Sequence, residues 1–311
     1  MEPARVSKLP SAPASLDLVS TEADDLFQTR SQSPTDARKQ ATRDHFDAWA
    51  AWRMEWEQKA RAYYDDQVRY IKFLVPEGLH VFEIGSGLGY LLAALRPVRG
   101  VGIELSPEMA KQAARRHPAL EFRVDDAEML EIAETFDVII LADVVGHLQD
   151  VGAALRRLHQ ACTPHTRIIV SYYNYLWEPV LRLSEILGWK MPQPKQSWLS
   201  PEDIANLLRL ADFEVLKTER RLLLPIKIPF LSSFCNKVLA HLSGVRTLCL
   251  SHYVVARPRL RRLERPYSTM IVIPCRNERR NIDAALKRIP RFGGRQQIIF
   301  VDGHSSDGTP E

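Results

Sequence analysis

A glycine-rich turn between a short apolar strand and a helix constrains this fold more than any other feature of the chain. The strand is predicted over residues 81–84, the turn has the spacing Gly-x-Gly-x-Gly over residues 85–89, and a helix is predicted over residues 90–95. A second apolar strand, residues 101–104, ends in Glu104. In an open α/β sheet this order places the acid beside the glycine turn, at the edge where ligands bind. A ligand can approach the glycine backbone closely there, and the carboxylate can accept hydrogen bonds from both hydroxyls of a ribose.

The glycine spacing separates this turn from two common nucleotide-binding patterns. It is not the G-x-G-x-x-G of dinucleotide-binding folds, and it lacks the Gly-Lys-Ser/Thr ending of a phosphate-cradling loop. With Glu83 before the turn and Glu104 on the next strand, residues 43–256 resemble the class I S-adenosylmethionine (SAM)-dependent methyltransferases. The resemblance implies an α/β fold with a Rossmann-like seven-stranded sheet, helices on both faces and SAM as the cofactor. The alternative is a glycine turn that only joins a strand to a helix.

The resemblance also implies a set of cofactor-binding residues. Glu83 would hold the amino group of the methionine part, Glu104 the ribose, and Asp126 the adenine, with Asp125 as the alternative to Asp126. The implied set is Glu83, Gly85, Ser86, Gly87, Gly89, Glu104, Leu105, Asp126, Ala127 and Asp143.

Catalytic and substrate-binding candidates lie at and after the ends of the fourth and fifth predicted strands, residues 136–143 and 167–172. His147 lies where the family commonly has a histidine near the reacting methyl group, and it is either a general base or a capping and packing residue. Gly146 stands where family members often carry Glu or His, which weakens the catalytic interpretation. Tyr172, Tyr173 and Asn174 lie where the family places substrate residues, and the alternative is a packing cluster.

The rest of the first 256 residues is less specific. Residues 1–42 are rich in Ser, Pro and Ala and predict a disordered tail. Residues 43–73 have a helical pattern with many aromatic side chains, most of them expected in the core, with Tyr63 or Tyr64 as lid contacts. A late strand over residues 251–256 would complete an antiparallel edge pair.

Charge, cysteines and apolar runs exclude several classes of protein. The net charge of +4 is too small to indicate nucleic-acid binding. Four scattered cysteines predict free thiols in the cytoplasm and no metal site. The most apolar run, residues 222–231, is interrupted by Lys227 and two prolines, so no transmembrane segment is predicted. The basic, apolar residues 220–242 form either a cap, which we favour, or a membrane-surface contact.

The composition changes again after residue 256. Residues 257–267 predict a basic linker, and residues 268–311 predict a partial βαβ unit. Two pieces of this unit, residues 272–278 and 300–309, are similar to the opening of family 2 glycosyltransferases. That resemblance implies that Pro274, Asn277 and Glu278 lie near a nucleotide and Asp302 near its base. About 45 residues cannot build a complete glycosyltransferase core, so this fragment is expected to be inactive alone. The alternative is a coincidental βαβ unit that decorates the first domain.

The expected activity is methyl transfer from SAM to a small-molecule, sugar or lipid-linked acceptor. The glycosyltransferase-like end suggests, by association only, a place in surface-polysaccharide or glycolipid synthesis. One rival is a non-catalytic SAM-binding scaffold within a longer methyltransferase–glycosyltransferase polypeptide. The other is an enzyme that uses NAD or a sugar nucleotide, which the glycine spacing disfavours. The oligomeric state is not indicated by the sequence.

Overall fold

The computed structural model describes residues 34–259, 268–291 and 294–310. The predicted tail lies outside these residues up to position 33, but helix α1 (Pro34–Trp49) occupies positions 34–42. The predicted tail boundary is therefore wrong by nine residues. The physical reason is tertiary, because Thr42 is buried and Lys39 forms ion pairs with Asp126 and Glu128. Most of the predicted linker, residues 260–267, also lies outside the described residues.

The methyltransferase-like region is an α/β fold built on one seven-stranded sheet. Its elements after α1 are α2 (Arg53–Lys59), α3 (Arg61–Leu74), β1 (His80–Ile84), α4 (Tyr90–Ala94), β2 (Arg99–Glu104), α5 (Pro107–Arg116), β3 (Glu121–Val124), β4 (Phe136–Ala142), α6 (Val151–Arg157), β5 (Cys162–Tyr173), α7 (Glu178–Ile186), α8 (Pro201–Leu210), β6 (Phe213–Arg221), α9 (Leu231–Lys237) and β7 (Ser251–Pro258). The strand order is β3-β2-β1-β4-β5-β7-β6. Only β7 runs antiparallel to its two neighbours, which confirms the predicted mixed sheet.

Alternate residues of the central strands pack on the two faces of the sheet. On one face, Val81 and Ile140 pack with Ile71 of α3 and Leu92 of α4. On the other face, Phe82 and Ile139 pack in a cluster with side chains of α6 and α8. Helices therefore cover both faces, which is why the inner strands are almost wholly apolar.

Strand β1 is the point where the chain reverses its direction across the sheet. It pairs in parallel with β2 on one side and β4 on the other. The connection after β1 leads to β2 on one side of it, and the connection after β3 returns to β4 on its other side. This change of direction opens a crevice at the C-terminal ends of β1, β2 and β4. Helix α5 starts beside the crevice at Ser106, whose side chain accepts the Met109 N–H at 3.1 Å.

The edge strand β6 and its neighbour β7 are joined by a long connection, residues 222–250, that contains α9 and two short 3-10 turns. Leu222 and Leu250 anchor its two ends beside Tyr63 in one apolar cluster. In the described part of the chain, no helix is both long enough and apolar enough to cross a bilayer.

Residues 268–291 and 294–310 contain a second, two-stranded sheet. Strands β8 (Thr269–Cys275) and β9 (Gln296–Asp302) pair in parallel, and α10 (Ile282–Arg288) lies between them in sequence. The loops after the strands bond to each other, since Asn277 N–H donates to Ser305 Oγ at 2.7 Å. The βαβ arrangement agrees with the predicted element order, while its resemblance to glycosyltransferases stays a prediction.

Candidate functional site

The glycine turn after β1 forms one wall of a large cavity. All three of its glycines have positive φ, at 71° for Gly85, 52° for Gly87 and 76° for Gly89. A Cβ on Gly87 would meet nothing within 4 Å, so the backbone there faces open space. A Cβ on Gly89 would lie 2.5 Å from Phe122, and Gly89 is also the residue that precedes α4. Gly85, Ser86 and Gly87 line the cavity, whereas Gly89 shapes the turn behind it.

Glu104, the last residue of β2, holds its carboxylate against this turn. Its Oε2 accepts the Gly87 N–H at 2.8 Å, and its Oε1 accepts the Ser106 N–H at 3.2 Å. Burial raises the pKa of Glu104, and the two backbone N–H groups and the Arg53 charge oppose that rise. Glu104 and its neighbour Leu105 both line the cavity. The structure thus places the acid beside the turn as the sequence predicted.

Glu83 has a structural task as well as a place in the cavity wall. Its Oε2 accepts the Leu92 N–H at 3.1 Å. Leu92 lies in the first turn of α4, where backbone N–H groups have no partner within the helix. Burial raises the pKa of Glu83 well above its ordinary value, the Leu92 bond opposes this, and the nearby Glu104 adds to it. One carboxyl oxygen is therefore engaged before any ligand arrives.

The acids after β3 are covered by helix α1. Lys39 Nζ lies 2.7 Å from Asp126 Oδ2 and 2.9 Å from Glu128 Oε2. The other oxygen of Asp126 accepts the Glu128 N–H at 2.9 Å. Asp125, Asp126 and Ala127 all line the cavity. Lys39 therefore engages the carboxylate expected to meet the adenine, a contact that sequence reasoning did not anticipate.

Asp143, just after β4, connects helix α3 to the sheet edge. Its Oδ2 accepts the Tyr63 hydroxyl at 2.7 Å and the Gln67 amide at 2.9 Å, and its Oδ1 accepts the Ser171 hydroxyl at 3.4 Å. Burial raises the pKa of Asp143, and the Tyr63 and Gln67 bonds oppose the rise. Tyr63 and Tyr64, one or the other of which was expected as a lid contact, both line the cavity.

His147 lines the same cavity from a 3-10 turn at Val145–His147. Its ring stands edge-on to Phe46, with centroids 5.3 Å apart. Its Nδ1 is buried and has no hydrogen-bond partner among the described residues. Burial lowers the pKa of His147 to about 4, and the charges of Lys190 and Arg53 act in the same direction. The imidazole is therefore neutral near pH 7.

The glycine before His147 is explained by packing. A Cβ on Gly146 would lie 2.0 Å from the hydroxyl oxygen of Tyr172. That hydroxyl donates to the Ser197 carbonyl at 2.7 Å, and Ser197 N–H donates to the Gly146 carbonyl at 2.8 Å. Only a residue without a side chain fits between Tyr172 and Ser197.

The three predicted substrate residues have different places in the structure. Tyr173 lines the cavity and lies against Tyr63, with ring centroids 5.3 Å apart. Tyr172 is 1% exposed and belongs to the core under Gly146. Asn174 is also 1% exposed, and its amide donates to the carbonyls of Thr247 and Cys249 at 2.8 and 2.9 Å. Tyr172 and Asn174 are not in the cavity wall, because both side chains are used in holding the loops after β5.

Several cavity residues were missed by sequence reasoning. Arg53 donates to Glu57 at 3.2 Å and to the Tyr64 hydroxyl at 3.2 Å, and it contacts Met191 Sδ at 3.9 Å. Lys190 pairs with Glu185 at 2.5 Å. Arg53 lies in a helical stretch dense with charges, where an arginine is ordinarily a solvated residue. Its partner Met191 is 138 residues away, so no local signal could have identified it.

The cavity is a single space of about 740 Å³ with two kinds of wall. Glycine backbone and carboxylates form one part, and aromatic and aliphatic side chains from the N-terminal helices and the loop after α7 form another. Ser86 Oγ is buried without a partner among the described residues, and the Ser86 side chain lies against Gly102 of β2. An uncovered backbone and buried carboxylates suit a ligand with amine and ribose groups, such as SAM.

Comparison with solved structures agrees with this fold. A SAM-dependent methyltransferase of Thermotoga maritima superposes with a TM-score of 0.54 at 20% identity, covering 70% of this chain and 100% of that one. A magnesium protoporphyrin IX methyltransferase of Synechocystis PCC 6803, solved with bound S-adenosylhomocysteine (SAH), gives a TM-score of 0.51 at 18% identity, covering 71% and 99% of the two chains.

Sequence comparison points to the same family. A ubiquinone biosynthesis O-methyltransferase of Bradyrhizobium diazoefficiens is 27% identical over 144 residues, and a Bradyrhizobium sp. protein of the same name is 25% identical over 144 residues. Each match covers 42% of this chain, and the chain spans just over half, 56%, of the relative. The family described as "Methyltransferase domain" matches residues 56–218, just over half of the 311 residues. The chain therefore belongs to the methyltransferase-domain family and contains a class I SAM-dependent methyltransferase domain.

Proposed function

We propose that this chain transfers the methyl group of SAM to an oxygen atom of a largely apolar acceptor that carries a hydroxyl group. The observation that carries the proposal is that one cavity combines the carboxylate-lined strand edge, His147 and an aromatic wall. A cofactor and an acceptor can therefore occupy one enclosed space. Bound SAM supplies a methyl group on a positively charged sulfur, so alignment and exclusion of water are the main tasks of the protein.

The cofactor end of the cavity would use groups that the structure already holds in place. Glu104 would accept the ribose hydroxyls while its backbone bonds fix its position. Glu83 would face the amino group with the oxygen that α4 does not use. Asp126 and Ala127 would lie at the adenine, next to Lys39. Each role carries over from the family resemblance, and the burial of the two glutamates supports it.

The part of the cavity with aromatic and aliphatic walls would bind an aromatic ring or an alkyl chain of the acceptor. Tyr64, Tyr173, Trp189 and Met191 offer apolar surface in the cavity wall. Arg53 adds one charged group, held by Glu57. Apolar walls with few polar groups are typical of sites that orient amphipathic small molecules.

His147 would accept the proton of the acceptor hydroxyl as its oxygen takes the methyl group. The neutral imidazole and its place in the cavity wall support this role. A base with a pKa of about 4 stays deprotonated well below pH 6.5, so kcat/KM should lose activity on the acid side only near pH 4–5. A profile that instead falls with a midpoint near 6.5 would contradict the burial of this histidine.

The acceptor class is proposed from the cavity and from the relatives. The relatives' name, ubiquinone biosynthesis O-methyltransferase, favours a ring-bearing hydroxyl acceptor, small or lipid-linked. A sugar acceptor in surface-polysaccharide or glycolipid synthesis is supported only by the resemblance of residues 268–311 to family 2 glycosyltransferases. Four free cysteines favour a reducing compartment, the cytoplasm, as the place of action.

A rival function is a non-catalytic SAM-binding scaffold in a longer methyltransferase–glycosyltransferase polypeptide. One observation favours it, because a general base is usually oriented by a second group, and in the part of the chain that the structure describes His147 Nδ1 has no such partner. Gly146, which supported the scaffold at the sequence level, no longer does so, since its packing against Tyr172 explains it.

The test is methyl transfer from radiolabelled SAM by the full chain. The acceptors are a catechol with a long alkyl chain, the same catechol without the chain, and a glycolipid with free hydroxyls. Labelled product from the catechols would support the proposal. SAM binding by calorimetry with no labelled product from any acceptor would favour the scaffold, and absence of SAM binding would reject both.

A further inference from the structure

Residues 222–250 expose a large amount of apolar surface next to the cavity. Phe230 is 92% exposed, and Ile226, Leu231 and Phe234 are each about half exposed. Helix α7 and the loop after it add Ile186, at 82%, and Trp189, at 67%. We call these six side chains the apolar rim. Exposed apolar surface of this size typically marks an interaction site.

The two parts of the apolar rim are connected by direct contacts. Leu181 on the inner side of α7 packs with Leu222 and Leu250 at the ends of the long connection. Trp177, just before α7, donates its indole N–H to the Leu248 carbonyl at 2.8 Å. Trp189 and Ile226 also line the same cavity. Because these lining residues are exposed, the rim borders the cavity mouth.

The charge of this region selects the partner. Residues 220–250 contain five Lys or Arg side chains and no Asp or Glu. Four of the five, Arg220, Arg221, Lys227 and Arg246, pair with acids of α3, α8 and β6. Lys227, beside Phe230, is nevertheless 63% exposed, and the exposed Lys237 has no ion-pair partner within residues 34–259. On α7, the two acids Glu178 and Glu185 are each paired with a basic side chain. Two copies of this segment would bring the exposed Lys227 and Lys237 of each copy together, whereas an anionic lipid surface attracts both lysines.

We propose that the apolar rim docks on the surface of an anionic lipid bilayer and that the acceptor enters the cavity from that bilayer. This inference rests on the proposed function and narrows its acceptor to a lipid. Exposed Phe, Trp and Ile side chains insert at the boundary between headgroups and acyl chains, while lysines contact anionic headgroups. The sequence favoured a cap over residues 220–242. The structure gives this segment a place in the cavity wall through Pro225 and Ile226, and an apolar surface facing outward.

The test is sedimentation of the full chain with sucrose-loaded vesicles, one set of phosphatidylcholine alone and one with about a third phosphatidylglycerol. The wild type is expected to sediment with the anionic vesicles, and raised salt should release part of it. Phe230→Ser with Phe234→Ser should lower the vesicle affinity by about tenfold or more, and Lys237→Gln by about fivefold. The matched control is Phe73→Ser on α3, because Phe73 is 78% exposed and lies outside the rim.

Calorimetry with SAM and turnover of the short-chain catechol separate this inference from the proposed function. In the rim variants the Kd for SAM and the turnover of the short-chain catechol should stay within about twofold of the wild type. Turnover of the long-chain catechol in vesicles should fall. Docking is rejected if the wild type stays in the supernatant, or if Phe73→Ser loses as much binding as the rim variants. It is also rejected if the rim variants change only the KM of the soluble acceptor, as a cap would, or only the oligomeric state, as a contact between two copies would.

Discussion

Replacing Glu104 by Gln tests the cofactor site through a single oxygen-to-nitrogen change. Both carboxylate oxygens accept backbone N–H groups, Gly87 at 2.8 Å and Ser106 at 3.2 Å. A glutamine has one carbonyl oxygen, so one of these N–H groups must face an amide NH₂. The ribose hydroxyls would also lose a charged acceptor. Bonds to a charged group contribute about 1.5–3 kcal/mol and neutral bonds about 0.5–1.5 kcal/mol, so the expected loss of SAM affinity is about 2 kcal/mol.

That loss corresponds to a Kd about 30-fold weaker, measured by calorimetry with SAM and SAH. The fold should be less affected, because removing a buried charge also removes its desolvation cost. The matched control is Glu108→Gln, four residues further along, where the side chain is half exposed and outside the cavity. If Glu104→Gln binds SAM within about threefold of the wild type and keeps its circular dichroism spectrum, Glu104 does not hold the ribose and the assignment is wrong.

Three further variants test the rest of the site and the core. His147→Gln should lower kcat by about 100-fold or more with SAM affinity unchanged if the imidazole is the base, and a change below about fivefold would leave it a packing residue. Gly146→Ala should lower the free energy of unfolding by about 1–3 kcal/mol in chemical denaturation, because the added Cβ would overlap the Tyr172 hydroxyl. Adding Tyr172→Phe to this variant should recover part of the loss. Equal stability of the wild type and Gly146→Ala would contradict the overlap. His252 is 3% exposed, and burial lowers its pKa to about 4 from 6.5, so it contributes stability above pH 6.5 that is lost as the pH falls toward 4, about 2 kcal/mol by pH 5. In His252→Leu the fall in melting temperature between pH 7 and pH 5 should therefore be smaller than in the wild type, and an unchanged fall would show that this histidine is not the cause.

The sequence was sufficient where a local pattern has one physical solution. A strand that is covered on both faces of the sheet must be almost wholly apolar, and this located the strands at residues 81–84 and 101–104. Glycines followed by a helix start, with an acid ending the next strand, placed Gly87 and Glu104 together, since parallel strands end at one edge. Helix starts such as Ser106-Pro107 were also predictable, because their capping bonds join residues three apart.

The tertiary structure alone decided which side chains face the cavity. Tyr172, Tyr173 and Asn174 are neighbours in sequence, yet only Tyr173 reaches the wall, because packing against Gly146 and bonds to the residue 247–249 loop hold the other two elsewhere. Lys39 and Arg53 belong to the site through partners 87 and 138 residues away, at Asp126 and Met191. Periodicity describes a residue's own helix or strand, whereas these contacts depend on how separate elements pack, so no pattern within one segment could specify them.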